Sequence, residues 1–236
     1  MSRQAVILLG GRGTRLSALY PDRPKALVPV AGRPFIEWQM DFLHRGGIRN
    51  IHLAAGHMAD AIEAWAGGQN DVGLTVSREP SPLGTAGAIK FVEPHLRSDP
   101  FLVINGDTLL PNANFQSLEK CHADFSNAWI TILVAHMSES GRYGTVEFGA
   151  DGTINAFREK ASRSEGWINA GIYLVSKKVL QTIEPGRNVS IETDVFPALA
   201  EKKLLRACPC EGPLLDMGTP EGWTAMNDHL SRHPAG

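Results

Sequence analysis

The sequence predicts an open α/β fold: a Rossmann-like mixed sheet flanked by helices, with a smaller β-rich lobe. Three observations carry this. Short apolar runs alternate with helix-period segments over residues 1–135. The first apolar run, Val6 to Leu9, feeds straight into a glycine-rich turn. From about residue 136, short strand-like stretches and hairpin signals replace the alternation. Strand and helix in alternation require a sheet covered on both faces.

The elements follow in order. Val6 to Leu9 is a buried strand, and Gly10 to Lys25 is too polar to be core. Pro29 and Pro34 bracket Gly32 in a tight connection. Phe35, Ile36, Gln39, Phe42 and Leu43 recur at helical spacing until Gly46-Gly47 ends the helix. Ile51 to Ala54 reads as a strand, Met58 to Trp65 as a helix, Val72 to Ser77 as a strand and Thr85 to Val92 as a helix. Phe101 to Ile104 is a strand, Phe115 to His122 a helix and Trp129 to Ala135 an interior strand. Tyr143 to Phe148 and Ile154 to Glu159 flank the hairpin signal Asp151-Gly152. Trp167 to Val175 is a strand, Lys178 to Ile183 a short helix, and Glu192 to Lys202 a helix interrupted near Pro197. Leu214 to Asp216 is a short strand before a terminal helix, Pro220 to Leu230. The expected organisation is one domain over 1–236, with a main part to about residue 135 and a smaller lobe carried on the same sheet beyond it.

Composition narrows the function. The 23 basic and 25 acidic residues leave a net charge of −2 with no Lys/Arg block, which argues against a nucleic-acid partner. Local arginines near the start therefore read as a site. The apolar run at 5–9 stops at Gly10, far too short for a membrane span. Cys121, Cys208 and Cys210 lack the partner cluster of a zinc site and suit free thiols in a reducing compartment. The expectation is a soluble, cytoplasmic protein with no membrane partner. The helix from Phe35 and the terminal helix could pack internally or against a second copy, so a homo-oligomer stays open.

Chemistry concentrates in the turn Gly10-Gly11-Arg12-Gly13-Thr14-Arg15-Leu16 and in Lys25. Backbone N–H groups of a glycine-rich turn at a strand end can approach phosphate closely. The spacing matches neither G-x-G-x-x-G nor the P-loop, and Glu37 falls inside a helix pattern where a dinucleotide site needs a strand-end acid. An oxidoreductase is thereby disfavoured. Asp107 follows the strand Phe101 to Ile104, and Asp216 ends another strand. On the residues alone, Asp107 fits a hard metal ligand or a turn former. Asp216 fits a ligand or the cap of the last helix, for which Thr219 is the better candidate.

Gly10 to Leu16 with Arg23-Pro24-Lys25 resembles the signature of sugar-1-phosphate nucleotidyltransferases, the nucleotide-sugar pyrophosphorylases. The resemblance implies the nucleotide-diphospho-sugar transferase fold and runs from residue 5 to about 226. It departs at Ala18-Leu19-Tyr20, where the familiar form has Pro-Leu-Thr. It implies that Leu9, Gly10, Gly11, Gly13 and Thr14 wrap the triphosphate, and that Arg15 and Lys25 stabilise the leaving pyrophosphate. It makes Asp107 catalytic and, with Asp216, a ligand of Mg²⁺. The segment Glu79 to Gly87 would hold the nucleobase through Glu79, Gly84 and Thr85; a carboxylate at Glu79 suits guanine N1–H and N2–H, or is a surface group. Glu159 would hydrogen-bond the sugar hydroxyls and Lys160 would meet the sugar phosphate, with Gly106, Gly144 and Asn169 in the same sugar pocket. The blocks Pro29 to Phe35, Leu83 to Thr85, Gly141 to Glu147 and Ile191 to Asp194 are most similar to small bacterial members that transfer GMP from GTP to heptose 1-phosphate. They also occur, with changes, in members that use mannose 1-phosphate with GTP or N-acetylmuramate 1-phosphate with UTP. A non-catalytic nucleotide-sugar sensor is the remaining alternative, disfavoured by the two aspartates. His57 and His136 receive no role.

Overall fold

The first apolar run shows no alternation because both of its faces are covered. In a computed structural model, which describes residues 3–13, 15, 16, 18–138, 145–158 and 165–233, the run forms β1 (Gln4–Leu9). A hairpin of β2 (Pro29–Val30) and β3 (Arg33–Pro34) leads into α1 (Phe35–Arg45). Then come β4 (Asn50–Ala55), α2 (Ala59–Gly67), β5 (Leu74–Arg78), α3 (Gly84–Phe91), β6 (Phe101–Asn105), β7 (Thr108–Leu109) and α4 (Phe115–Ala123). The rest is β8 (Ile130–Met137), β9 (Thr145–Phe148), β10 (Ile154–Arg158), β11 (Gly166–Val175), α5 (Phe196–Glu201), β12 (Leu205–Cys210), β13 (Leu215–Asp216) and α6 (Pro220–Arg232).

Nine strands share one sheet. β5, β4, β1 and β6 lie side by side and parallel, and β11 runs antiparallel to β6. The long β11 joins the two halves of the chain. Its second half pairs with β6 (Ile172↔Ile104), its first half meets β9 (Ile168↔Thr145), and β8 lines its other edge. Strands β9 to β12 thus extend the main sheet, whereas β13 pairs with β7 outside it. Ala5, Ile7 and Leu9 face a core shared with α1, α2, α4 and α6. Val6 faces a second core shared with α3 and α5. The period-2 geometry of one strand divides its residues between the two cores.

Several elements differ from the sequence expectation. β5 starts at Leu74 and Val72 is exposed, because Asp71 accepts the Gly73 N–H (2.9 Å) and turns the chain first. Lys177–Thr182 is a 3-10 turn capped by Ser176. Ile191–Val195 is a wide π-type turn, and Pro197 sits in the first turn of α5, where its missing N–H costs nothing, so it does not interrupt a helix. The Cys208-Pro209-Cys210 segment, read only for metal and redox chemistry, is the end of β12, parallel to β8 alone. Pro209 fits there because an edge strand spares the ladder hydrogen bond that proline lacks. The helix from Phe35 packs internally, burying Phe35, Ile36, Trp38, Met40, Phe42 and Leu43. Among the described residues no helix is long and apolar enough to cross a membrane.

His52 on β4 is wholly buried, with its ring nitrogens at Thr75 Oγ1 (2.8 Å) and Ser77 Oγ (2.9 Å). Burial first, and then the stacked His95, push its pKa down from 6.5 to about 4. The folded state needs the neutral ring. That stability is complete above 6.5 and is lost as pH falls toward 4, where the unfolded chain takes the proton more readily. Urea titrations should show a falling unfolding free energy across this window, with a shallower slope in His52→Gln. An equal slope in the variant contradicts the assignment.

Candidate active site

The strand order reverses between β1 and β6: the chain runs from β1 outward through β4 and β5, while β6 takes the opposite flank. Crevices outside the carboxyl ends of strands form at such a point. Here Gly106 N–H donates to the Leu8 carbonyl (3.1 Å) as the last rung between them. Beyond it opens a cleft of about 350 Å³. Its walls include Leu9, Gly10, Gly11, Gly13, Lys25, Glu79, Gly84, Thr85, Gly106 and Asp107, all singled out from the sequence.

Lys25 begins a 3-10 turn, Lys25–Leu27, and Val28 N–H closes it on the Lys25 carbonyl (3.1 Å). The turn is held from both sides of the β2–β3 hairpin. Trp38 Nε1 of α1 donates to Val30 O (2.9 Å), Trp223 Nε1 of α6 to Pro29 O (3.0 Å), and Asn227 Oδ1 of α6 accepts Ala31 N–H (2.9 Å). From this base Lys25 Nζ reaches Asp107 Oδ2 at 2.6 Å, with side-chain exposures of 14% and 35%. The pair is half-buried and charge-assisted, so its geometry is better fixed than that of an exposed pair.

Asp107 and Asp216 come together through a small ribbon. β7 pairs antiparallel with β13, setting Asp216 opposite Thr108, and Met217 N–H donates to the Asp107 carbonyl (3.0 Å). Asp216 Oδ1 accepts Gly218 N–H (2.7 Å), and Thr219 Oγ1 caps α6 through Gly222 N–H (3.1 Å). Thr219 is therefore the cap. Helix α6 starts directly against the ribbon: a Cβ on Gly222 would overlap the Asp216 carbonyl oxygen.

Glu79 extends from β5, its N–H on Ala55 O (2.8 Å). Oε2 accepts Leu83 N–H (3.2 Å) ahead of α3, and Oε1 lies 2.7 Å from where a Gly10 Cβ would stand. A side chain at position 10 would displace the end of Glu79. Burial raises the Glu79 carboxyl above its usual range, partly offset by the Leu83 N–H. Thr85 Oγ1 donates to Glu192 Oε2 (2.8 Å) and accepts Ile191 N–H (2.7 Å), so its hydroxyl ties α3 to the 190–195 turn.

Other expected residues lie elsewhere. Arg15 is exposed and is not in the cleft wall. Asn169 spends its amide on the β11 bulge: Nδ2 donates to Tyr173 Oη (2.9 Å) and Oδ1 accepts Gly171 N–H (2.9 Å). Thr14, Gly144, Glu159 and Lys160 lie outside the described residues. Asn105 and Asn188 line the cleft unanticipated, and Pro82 lines it within the segment expected to hold the base. Asn188 arrives because its segment crosses α3, donating from Nδ2 to Pro82 O (3.0 Å), and no motif marks it.

Among the described residues no cluster of three or more His, Cys, Asp or Glu side chains is arranged to hold a metal. Asp107 in the cleft wall and Asp216, paired opposite the next residue, do suit Mg²⁺. That ion takes one or two carboxylates and completes its shell with water and substrate phosphate.

A family profile described as nucleotidyl transferase matches residues 4–232, and the chain belongs to that family. It is 37% identical over 235 residues to the mannose-1-phosphate guanylyltransferase catalytic subunit beta of Drosophila pseudoobscura pseudoobscura, covering 97% of this chain and 62% of that protein. It is 30% identical over 231 residues to the D-glycero-alpha-D-manno-heptose 1-phosphate guanylyltransferase of Aneurinibacillus thermoaerophilus, covering 98% and 99%. The crystal structure of HddC from Yersinia pseudotuberculosis superposes with a TM-score of 0.86 at 30% identity, covering 97% and 99% of the two chains. The same protein complexed with GMP-PN superposes at 0.84.

Gly222→Ala should force α6 away from the Asp216 carbonyl. A loss of about 1–3 kcal/mol is expected for an overpacked contact, read by chemical denaturation. Wild-type stability in the variant contradicts the close docking.

Proposed function

We propose that this protein transfers GMP from GTP to a sugar 1-phosphate, D-glycero-α-D-manno-heptose 1-phosphate before mannose 1-phosphate, releasing pyrophosphate. The observation that carries the reading is the cleft at the β1–β6 reversal, where Lys25 meets Asp107 at 2.6 Å and Glu79 stands in the same wall. Family membership supports nucleotidyl transfer, and the GMP-PN complex of HddC supports a guanine nucleotide. The heptose enzyme matched over 99% of its length supports the sugar. The higher identity to the Drosophila protein, over 62% of its length, favours mannose 1-phosphate as the second reading.

The sugar phosphate oxygen is already anionic, so the reaction needs no general base. It attacks the α-phosphorus in line; a new O–P bond forms as the bond to the bridging oxygen of the β-phosphate breaks, and pyrophosphate leaves with that electron pair. Bound Mg²⁺, held by Asp107 and Asp216, would neutralise phosphate charge. Gly10, Gly11 and Gly13 bring the Leu9 strand end close to the phosphates. Lys25 supplies a cation to the triphosphate, and Arg15 reaches it from the exposed loop. Glu79 accepts from guanine N1–H and N2–H beside Gly84 and Thr85. Gly106, Gly144, Glu159, Lys160 and Asn169 are assigned to the sugar phosphate from their motifs. We read the chain as one catalytic domain, nucleotide-binding to about residue 135 and sugar-binding beyond.

Purified protein mixed with Mg²⁺, each of four NTPs and a panel of sugar 1-phosphates should release pyrophosphate fastest with GTP and heptose 1-phosphate. Faster turnover of UTP with N-acetylmuramate 1-phosphate rejects the substrate reading, and no release with any pair rejects the chemistry. Asp107→Asn, Asp216→Asn and Lys25→Ala should each lower kcat about 100-fold or more, the scale of losing one charge-stabilising group.

Guanine pairing requires the Glu79 carboxylate. Because its pKa is raised, protonation begins at a higher pH than for an ordinary glutamate. KM for GTP should therefore climb on the acid side while the fold is intact. Glu79→Gln should abolish that climb and relax the preference for GTP. An identical pH profile in the variant excludes Glu79 from base recognition.

A further inference from the structure

Gln39 is the one fully buried amide on α1, at 0% exposure, inside an otherwise apolar helix face. Its Nε2 donates twice, to Asn105 O (2.8 Å) and to Thr108 O (3.0 Å). Those carbonyls flank Gly106 and Asp107. With both N–H groups on carbonyl oxygens, the amide has only one possible orientation; flipped, its oxygen would face two acceptors. Its Oε1 is buried without a hydrogen-bond partner among the described residues. An orphaned acceptor weakens a core, so packing does not explain an amide here, whereas its two donors do.

The same helix holds the other half of the pair. Phe35 N–H, at the start of α1, donates to Val28 O (3.0 Å), the residue that closes the Lys25 turn. Trp38 fixes Val30, and one residue later Gln39 grips the turn that carries Asp107. Helix α1 is therefore a strut whose first turn fixes the Lys25 segment and whose second fixes the Asp107 segment. We propose that Gln39 is a positioning residue: by holding the carbonyls on either side of Gly106-Asp107 it sets the Asp107 carboxylate against Lys25. In its catalytic consequence this rests on the nucleotidyl transfer proposed above.

Gln39→Met keeps the length and removes both donors. Per folded molecule, kcat for pyrophosphate release should fall about 10–100-fold with KM for GTP within about threefold, the pattern of an interaction felt in the transition state. Independently of activity, a loosened Asp107 should release Lys25: its acetylation by a trace amine reagent, read by mass spectrometry, should rise severalfold relative to Lys90, which is paired with Glu93. Gln39→Glu adds a pH signature. The protonated acid can donate to one carbonyl, whereas the ionised form sets a negative charge against two. Its kcat relative to wild type should fall as pH rises.

A lowered Tm with wild-type kcat and wild-type Lys25 labelling would make Gln39 structural only and overturn the proposal. So would a flat pH ratio in Gln39→Glu. If Gln39→Met does not fold, the pH ratio and Lys25 labelling of Gln39→Glu decide. If the wild type releases no pyrophosphate, the functional reading fails, and Lys25 labelling still decides the role of Gln39.

Discussion

The whole arrangement depends on the point where β1 and β6, parallel and hydrogen-bonded along their length, end side by side while the chain departs from them in different directions. The side chains of a sheet stand above and below it and do not close such a gap, so the loops beyond the last rung define a cleft. The Gly106 N–H on Leu8 O marks its floor. Every charged group in the wall stands where a strand has just run out: Asp107 past β6, Glu79 past β5, and Lys25 on the loop system that follows β1. The core is apolar and rigid, and the polar chemistry sits at its rim, where water can still help to solvate it.

Within that rim the charges are arranged in advance. Lys25 and Asp107 neutralise each other at 2.6 Å, so neither is buried as an uncompensated charge. Glu79, by contrast, meets no cation among the described residues. Desolvation raises its carboxyl, and a single backbone N–H offsets part of the effect. A polyphosphate entering the cleft would exchange one anionic partner of Lys25 for another. A base entering beside Glu79 would supply donors that the protein withholds. On the proposed reading, the two walls serve opposite ends of one nucleotide.

Local patterns made much of this legible. Gly10, Gly11, Gly13, Lys25 and Asp107 announce themselves by glycine, charge and position after apolar runs, Glu79 enters through the family resemblance, and they converge on one cleft. What was illegible is non-local. The ribbon joining Asp107 to Asp216 is made of two-residue strands, too short to leave a period in the sequence. β12 hides behind Pro209, which argues against an interior strand and is tolerated at an edge. Gln39 falls on the apolar stripe of α1 and reads there as a core position. Asn188 enters only because a distant loop crosses α3. Asn169 shows the reverse: a polar residue in a recognisable motif whose amide is engaged by its own strand.

The clamp on the β2–β3 hairpin bears on how the molecule assembles. Ala31 and Asn227 are 196 positions apart, and Trp223 and Pro29 are 194 apart. The lysine-bearing segment is translated early but acquires its final support from a helix translated much later. Contacts of such separation form late, after the loop-closure entropy between them has been overcome. A nascent chain can pair β1 with β4 long before α6 has emerged, yet its Lys25 turn would lack one of its two braces. Nucleotide-binding competence should accordingly appear in one step near the completion of folding.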